Sequence, residues 1–327
     1  MSQNDSLLNI GRVGSAIGLA IETSAGTANT TPSVWLSATE NTLRGHMEPI
    51  EDISSRNSRI MDTSSLLGRR WTEGDLSLNA DVVTSGWLWK MALGNELYVT
   101  GTPNNHTFYA TVSGNTPLTA TFIHQRGSVD TEQYTYATID ELNFEVSDGL
   151  AEISASILAQ YPTAGTATGV TSTSGTLLAF KDYFVQFGDT LTLAAAASTT
   201  PLSEFSLTLA NNSEVIHRSG MPEVSAIRSK GLRVSGSYKL FFDSETDKNA
   251  YYQLLKRSMI VTFSGYNNES LRFRVPRFRI NEAEIDSGLD DFYALTADFV
   301  AEDVVDSGTA TRLIDVRLQN NKAALYT

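Results

Sequence analysis

From Trp71 onward the chain alternates strictly. Leu76, Leu78, Ala80 and Val82 take one face, and Glu73, Asp75, Ser77, Asn79 and Asp81 take the other. This is the period-two pattern of a half-buried strand. The pattern then turns helical. Thr84–Leu93 predicts a short helix of at most about three turns, stopped by Gly94 as a glycine just past the helix end. The same sequence of events recurs further along, where Ser235–Asp243 alternates and Asp247–Lys256 predicts a second short helix. The two stretches align without a gap. Gly74 falls on Gly236, Asp81 on Asp243 and Leu93 on Leu255, each 162 positions apart. Few residues are identical, so the match is one of pattern: glycine, alternating strand, aspartate, amphipathic helix. A repeated β-rich unit supplies repeated surfaces, which points to an assembling structural protein.

Other strands are predicted near Ile17–Glu22, at Ser33–Glu40 with an extension to Met47, and near Thr107–Ser113 and Thr119–Gln125. In Ala137–Ser147, Leu142, Phe144 and Val146 face inward, opposite Glu141, Asn143, Glu145 and Ser147. Asp148-Gly149 is a hairpin signal. In Leu150–Tyr161, Ile153, Ala155, Ile157 and Ala159 face inward, opposite Glu152 and Ser154. Residues 48–70 are polar and aperiodic and predict a long loop. Later strands are expected at Phe180–Gly188, at Phe205–Val215 and Ile227–Phe242 as a hairpin, and at Arg257–Gly265, Ser270–Arg279, Leu289–Ala301 and Arg312–Leu318, with Ala194–Thr200 as loop.

The expected organisation is an N-terminal arm and first short strand at 1–33 and a first β unit at 34–161. A Ser/Thr/Gly-rich linker follows at 162–176, a second β unit at 177–303, and a C-terminal strand and tail at 304–327. The fold class is mainly β: two tandem β-sandwich or half-barrel units, each flanked by one short α-helix.

A chain of 327 residues suits two such units, each with its own core. The absence of cysteine removes disulfides, thiolate metal sites and a cysteine nucleophile. The start lacks the basic and apolar regions of a secretory signal, and no apolar run spans a bilayer, so synthesis and assembly in a cytoplasm are expected, with no membrane insertion. A net charge of −13 argues against wrapping nucleic acid through its phosphates.

Enzyme chemistry finds no foothold. His46, His106, His124 and His217 are scattered without metal-ligand spacing, and there is no Gly-x-Ser-x-Gly elbow and no phosphate-binding loop. Acidic neighbours such as Asp290-Asp291, Glu51-Asp52 and Glu302-Asp303 point to opposite faces on a strand and read as surface charge. No enzyme activity, cofactor or metal is expected. Trp71, Trp87, Trp89 and Tyr98, and separately Tyr251 and Tyr252, are open to two readings, a carbohydrate-stacking platform or packing in a core or interface; their place on the strand–helix unit favours packing.

The chain resembles the tail tube proteins (major tail proteins) of long-tailed bacteriophages. The resemblance rests on Gly18–Ala28 followed by Pro32 and a strand, on the acidic-then-arginine loop ending Gly68-Arg69-Arg70, and on Gly74 with the strand and helix Leu76–Leu93. It rests further on Ser206–Asn212, Gly231–Leu240 and Val316–Asn320. It implies a β-sandwich that closes edge to edge into a ring. Rings stack into a hollow virion tube around a tape-measure protein, tail terminator and baseplate or distal tail proteins meet the ends, and DNA passes through the lumen. The duplication favours a trimeric, pseudo-hexameric ring.

On that reading, the outward acids Glu73, Asp75, Asp81, Glu141, Glu145, Glu152, Asp243, Asp290 and Asp298 are candidates for a DNA-repelling inner wall. Glu51, Asp52, Arg56, Arg59, Asp62, Arg69 and Arg70 are candidates for contacts between rings. The alternative is a secreted or virion β-sandwich that binds as an adhesin or decorates a capsid.

Overall fold

The computed structural model describes residues 15–51, 65–110, 117–127, 129–171, 173, 175–241, 246–286, 293–302 and 312–327. In the first half, β1 (Ser15–Ile21), β2 (Val34–Leu36), β3 (Ala38–Asn41) and β4 (Arg44–Met47) lead to the short hairpin β5 (Ile50–Glu51) and β6 (Ser65–Leu66). Then come β7 (Arg70–Asn79), α1 (Ser85–Leu93), the hairpin β8 (Asn95–Val99) and β9 (Asn104–Tyr109), β10 (Ala120–Arg126), β11 (Asp130–Val146), β12 (Glu152–Ala159) and β13 (Thr163–Ala164). The second half runs β14 (Tyr183–Gly188), α2 (Leu191–Ala196), β15 (Glu204–Ala210), β16 (Ser213–His217), β17 (Val224–Ser229), β18 (Arg233–Phe241) and α3 (Thr246–Tyr252). It ends with β19 (Lys256–Ser264), β20 (Ser270–Asp286), β21 (Ala294–Ala301) and β22 (Asp315–Asn320). The fold is mainly β, and its large sheet is antiparallel.

Alternation works as expected. Leu76, Leu78, Ala80 and Val82 are buried, as are Leu142, Phe144 and Val146 and the four inward residues of β12. These faces meet in one contiguous core that draws on both halves. Its centre is aromatic: Phe144 lies 4.9 Å from Phe273 and 5.2 Å from Phe263, and Trp89 lies 5.4 Å from Phe273, all ring to ring. Fully buried aromatics carry the largest apolar area per residue, so they dominate this core.

Two strands of 17 residues, β11 and β20, change layer along their length. The first part of β11 pairs with β10, and its later part lies between β12 and β15. The first part of β20 pairs with β19 and β22, and its later part pairs with β21. The result is a front sheet in the order β3/β4, β7, β12, β11, β15, β18, β21, β20, crossing from one half of the chain to the other.

Pairing registers recur between the halves. β7 sets Leu78 opposite Ile153 and Gly74 opposite Ile157, while β18 sets Leu240 opposite Leu295 and Gly236 opposite Phe299. A bulge follows Ile139 in β11 where it pairs with β12, and another follows Ile280 in β20 where it pairs with β21. A second pair of bulges falls between Ala120 and Phe122 and between Arg257 and Met259. A bulge adds one unpaired residue and re-aims the strand, so matched bulges mean matched bends.

Several expectations are corrected. The loop expected at Ala194–Thr200 overlaps helix α2, whose N-cap Thr190 accepts a hydrogen bond on Oγ1 from Leu193 N. The strand expected at Thr107–Ser113 is Asn104–Tyr109, one arm of the hairpin with β8. The loop 48–70 carries β5 and β6 and gives Arg70 to β7, while 52–64 lie outside the described residues. The second helix ends at Tyr252 rather than Lys256, with Leu254 at φ 51 and Lys256 already in β19. Residues 205–242 form two stacked ladders, β15 with β18 and then β16 with β17, instead of one unbroken hairpin.

Candidate functional site

The solvent face of the front sheet is built from the residues that alternate with the core. On β7 these are Glu73, Asp75, Ser77 and Asn79, facing Leu158, Ser156, Ser154 and Glu152 of β12 in that order. Next come Glu141, Asn143 and Glu145 of β11, opposite Ala210, Thr208 and Ser206 of β15, and then Ser235 and Ser237 of β18, with Asp298 opposite Ser237 on β21.

Short polar side chains tie neighbouring strands together. Ser77 Oγ donates to Ser154 Oγ at 3.2 Å, and Thr208 Oγ1 donates to Asn143 Oδ1 at 2.6 Å. Asn143 Nδ2 donates to Glu141 Oε1 at 2.9 Å, and the hydroxyls of Ser206 and Ser237 lie 2.8 Å apart. Between these ladders a shallow depression of about 410 Å³ is lined by Ser77, Asn143, Glu145, Glu152, Ser154 and Thr208. Hydroxyl, amide and carboxylate side chains thus stand side by side along this surface.

Six of the nine expected wall acids stand on this face: Glu73, Asp75, Glu141, Glu145, Glu152 and Asp298. Asp81 does not. It lies beyond the end of β7, is 5% exposed, and accepts the backbone N–H groups of Val83 and Thr84, both at 2.6 Å on Oδ1. It also accepts the Thr84 hydroxyl, while Ser85 Oγ donates to its carbonyl. Asp81 therefore fastens the turn into α1. Burial raises its pKa above the ordinary carboxylate value, and the hydrogen bonds from Thr84, Val83 and Gly175 oppose that rise. Asp243 and Asp290 lie outside the described residues.

The face also carries charges that the expectation omitted. Glu204 bonds Lys239 at 3.2 Å, Arg233 sits opposite Ala210, and Glu282 sits opposite Asp298. Their signal was present: Glu204 alternates with Phe205, Leu207 and Leu209 as Glu73 does with Leu76 and Leu78.

Of the loop charges, Glu51 and Arg69 are exposed, and Asp52, Arg56, Arg59 and Asp62 lie outside the described residues. Arg70 is engaged within its own chain, ion-paired with Glu223 and stacked over Tyr161 at 4.9 Å. Its backbone N–H donates to Pro222 O at 2.9 Å.

The packing reading holds for two of the aromatic residues. Trp87 and Trp89 are 4% and 0% exposed and cannot stack on a sugar. The histidines serve local roles. His106 is wholly buried between Glu96 Oε1 at 2.7 Å and Lys322 O at 3.0 Å, and His46 stacks on Trp71. His124 contacts Ser15 Oγ and Asn41 Nδ2, both at 3.1 Å, and burial drops its pKa to about 4, with Arg126 adding to the drop. No helix among the described residues is long and apolar enough to cross a membrane.

The sheet thus presents hydroxyls and carboxylates on one face, and among the described residues its end strands pair on one side only. The family model for phage tail tube proteins matches residues 13–275, and the chain belongs to that family, whose members are structural and non-enzymatic components of the virion. No curated protein matches the chain.

Proposed function

We propose that copies of this chain close head to tail into rings, that the rings stack into the hollow tail tube, and that the viral genome leaves through its lumen. The polar face of the front sheet is the inner wall. The observation that carries this reading is the continuity of that polar, carboxylate-bearing face across both halves of the chain. DNA is a polyanion that a basic wall would retain by counterion release, whereas an acidic wall leaves it free to slide.

The two halves are tandem copies of one tube unit, and three chains make a ring of pseudo-sixfold shape. The recurring registers and the paired bulges support this reading. A tape-measure protein fills the lumen during assembly, and terminator and distal tail proteins cap the ends.

Electron microscopy of the purified, concentrated protein tests the proposal. Hollow tubes of uniform width with threefold or pseudo-sixfold rings are expected. Solid filaments, flat sheets or a protein that stays monomeric would overturn it. A tube with Asp75, Glu141 and Glu145 on its outer surface would overturn the wall assignment alone.

A further inference from the structure

The chain contains one junction of the kind that a second copy could make. The later part of β11 pairs with β15 of the other half, setting Glu141 opposite Ala210, Asn143 opposite Thr208 and Phe144 opposite Leu207. Phe144 and Leu207 are wholly buried there.

Each partner in this junction has a counterpart elsewhere in the chain. The counterpart of β11 is β20, equal in length and bulged at the same place. Aligning the bulges places Glu282 at the position of Glu141, Glu284 at that of Asn143 and Ile285 at that of Phe144. The counterpart of β15 is β3–β4, which pairs with β7 as β15 pairs with β18. That alignment places Leu43 at the position of Leu207, Arg44 at that of Thr208 and His46 at that of Ala210. Both counterparts have an open edge. Among the described residues, β3 and β4 pair only with β7, and Glu282–Asp286 pair only with β21.

We infer that the later part of β20 in one copy pairs antiparallel with β3–β4 of a second copy, with Glu282 opposite His46, Glu284 opposite Arg44 and Ile285 opposite Leu43. The front sheet then runs on from chain to chain. The inference rests on the tube reading for the identity of its partner, and it adds the contact and its register.

Charge supports it. Glu282 already lies opposite Asp298, with Glu284 exposed beside it, so this edge holds acids that repel one another. The other edge presents Arg44, whose Nε donates to His46 Nε2 at 3.4 Å, with Glu73 3.6 Å from the same nitrogen. Joining the edges places Glu284 of one against Arg44 of the other.

Apolar surface supports it too. Ile285 is 38% exposed where its counterpart Phe144 is fully covered. The ribbon that continues β4 repeats the theme. β16–β17 docks on the first half through Pro222 and Glu223 against Arg70 and through His217 against Trp71. Its counterpart β5–β6 has the equivalent register, with Ile50 opposite Leu66 as Glu214 is opposite Arg228. This hairpin leaves Met47, Ile50, Leu66 and Leu67 between 52% and 69% exposed. In a second copy they would come to rest beside Leu232 and Arg233, the counterparts of Arg70 and Trp71. A head-to-tail contact of this kind gives a ring when its rotation closes.

The chain has no cysteine, which makes cross-linking clean. Directly opposed strand residues lie within disulfide reach, and residues two positions off register do not. Arg44→Cys and Glu284→Cys chains, mixed and oxidised, are expected to give a covalent dimer about tenfold more abundant than Thr42→Cys mixed with Glu284→Cys. Glu284→Arg is expected to raise the concentration needed for assembly about tenfold, and adding Arg44→Glu to the same chain is expected to restore it. Tubes that form while the Thr42 mixture cross-links as well as the Arg44 mixture, or while the charge swap fails to restore assembly, would overturn the register and leave the tube reading standing. Wild-type protein that stays monomeric at every concentration under the microscope would overturn both.

Discussion

Gly74 and Gly236 lie in the same predicament in the two halves of the chain. A β-carbon at Gly74 would stand 2.6 Å from the carbonyl oxygen of Thr42, and one at Gly236 would stand closer still to the carbonyl oxygen of Ser206. Thr42 and Ser206 are themselves at corresponding places, Thr42 between β3 and β4 beside β7 and Ser206 on β15 beside β18. Each glycine lets a neighbouring backbone cross closely. Gly74→Ala and Gly236→Ala are each expected to lower stability by about 1–3 kcal/mol, as overpacking does. Urea titration of the two variants measures this, and Gly74→Ala carries added backbone strain because Gly74 has a φ of 155.

Leu78 and Leu240 are 2% and 5% exposed and face Ile153 and Leu295 across matched registers. Truncating either to alanine is expected to cost about 2–5 kcal/mol. Thermal or chemical denaturation reads the loss directly.

His124 is held neutral by burial, with a pKa of about 4 against 6.5 for an ordinary imidazole. A depressed pKa contributes stability that is present above the ordinary value and is lost as pH falls through the folded one. Stability is therefore expected to fall between pH 6.5 and about 4, and His124→Gln is expected to flatten that slope. Denaturation midpoints across this range check it.

Asp81 has a raised pKa, so the sign reverses. Its contribution is full below the ordinary value of 3.8 and is lost as pH rises through the folded value. Asp81→Asn is expected to keep the fold, because an amide oxygen still accepts from Val83 and Thr84, and to gain on wild type as pH rises. Asp81→Ala loses the acceptor and is expected to cost about 1 kcal/mol, comparable to a lost helix cap. Paired pH–stability curves of the two variants separate these outcomes.

Asp75, Glu141 and Glu145 face away from the core. Replacing all three by Lys is expected to leave folding and tube formation intact and to slow DNA ejection. High salt should ease the defect, because screening shortens the reach of exposed charges. Ejection rates at low and high ionic strength, with tubes confirmed by microscopy, provide the check.

Much of the fold was legible because alternation is a local property. The inward residues of β7, β11 and β12 and the helix following β7 could all be placed from period and glycine position. What stayed hidden depends on distant partners or on a single turn. Leu191–Ala196 is a run of small and aliphatic residues whose helix rests on one cap at Thr190. Asp81 continues the alternation of β7 on paper, but the strand ends at Asn79 and the side chain turns inward to the next helix. The pairing of β11 with β15, which makes the polar face continuous, has no local signal at all. Neither has Tyr326, fully buried against Trp87 and Phe108 from a place near the end of the chain.

The final strand imposes an order of events on synthesis. β22 lies between β20 and β9, and Lys322 O meets His106 Nε2 across a separation of 216 positions. Tyr326 completes the pocket beside Gly86 and gives its hydroxyl hydrogen to Val83 O at 2.9 Å. The early hairpin β8–β9 and the helix before it thus stay partly uncovered until β22 and Tyr326 have been made. Contacts this remote in sequence form slowly. A nascent chain halted before β22 holds an open strand edge and an unfilled aromatic pocket. An exposed strand edge and apolar pocket of this kind make such a partly folded chain prone to aggregation.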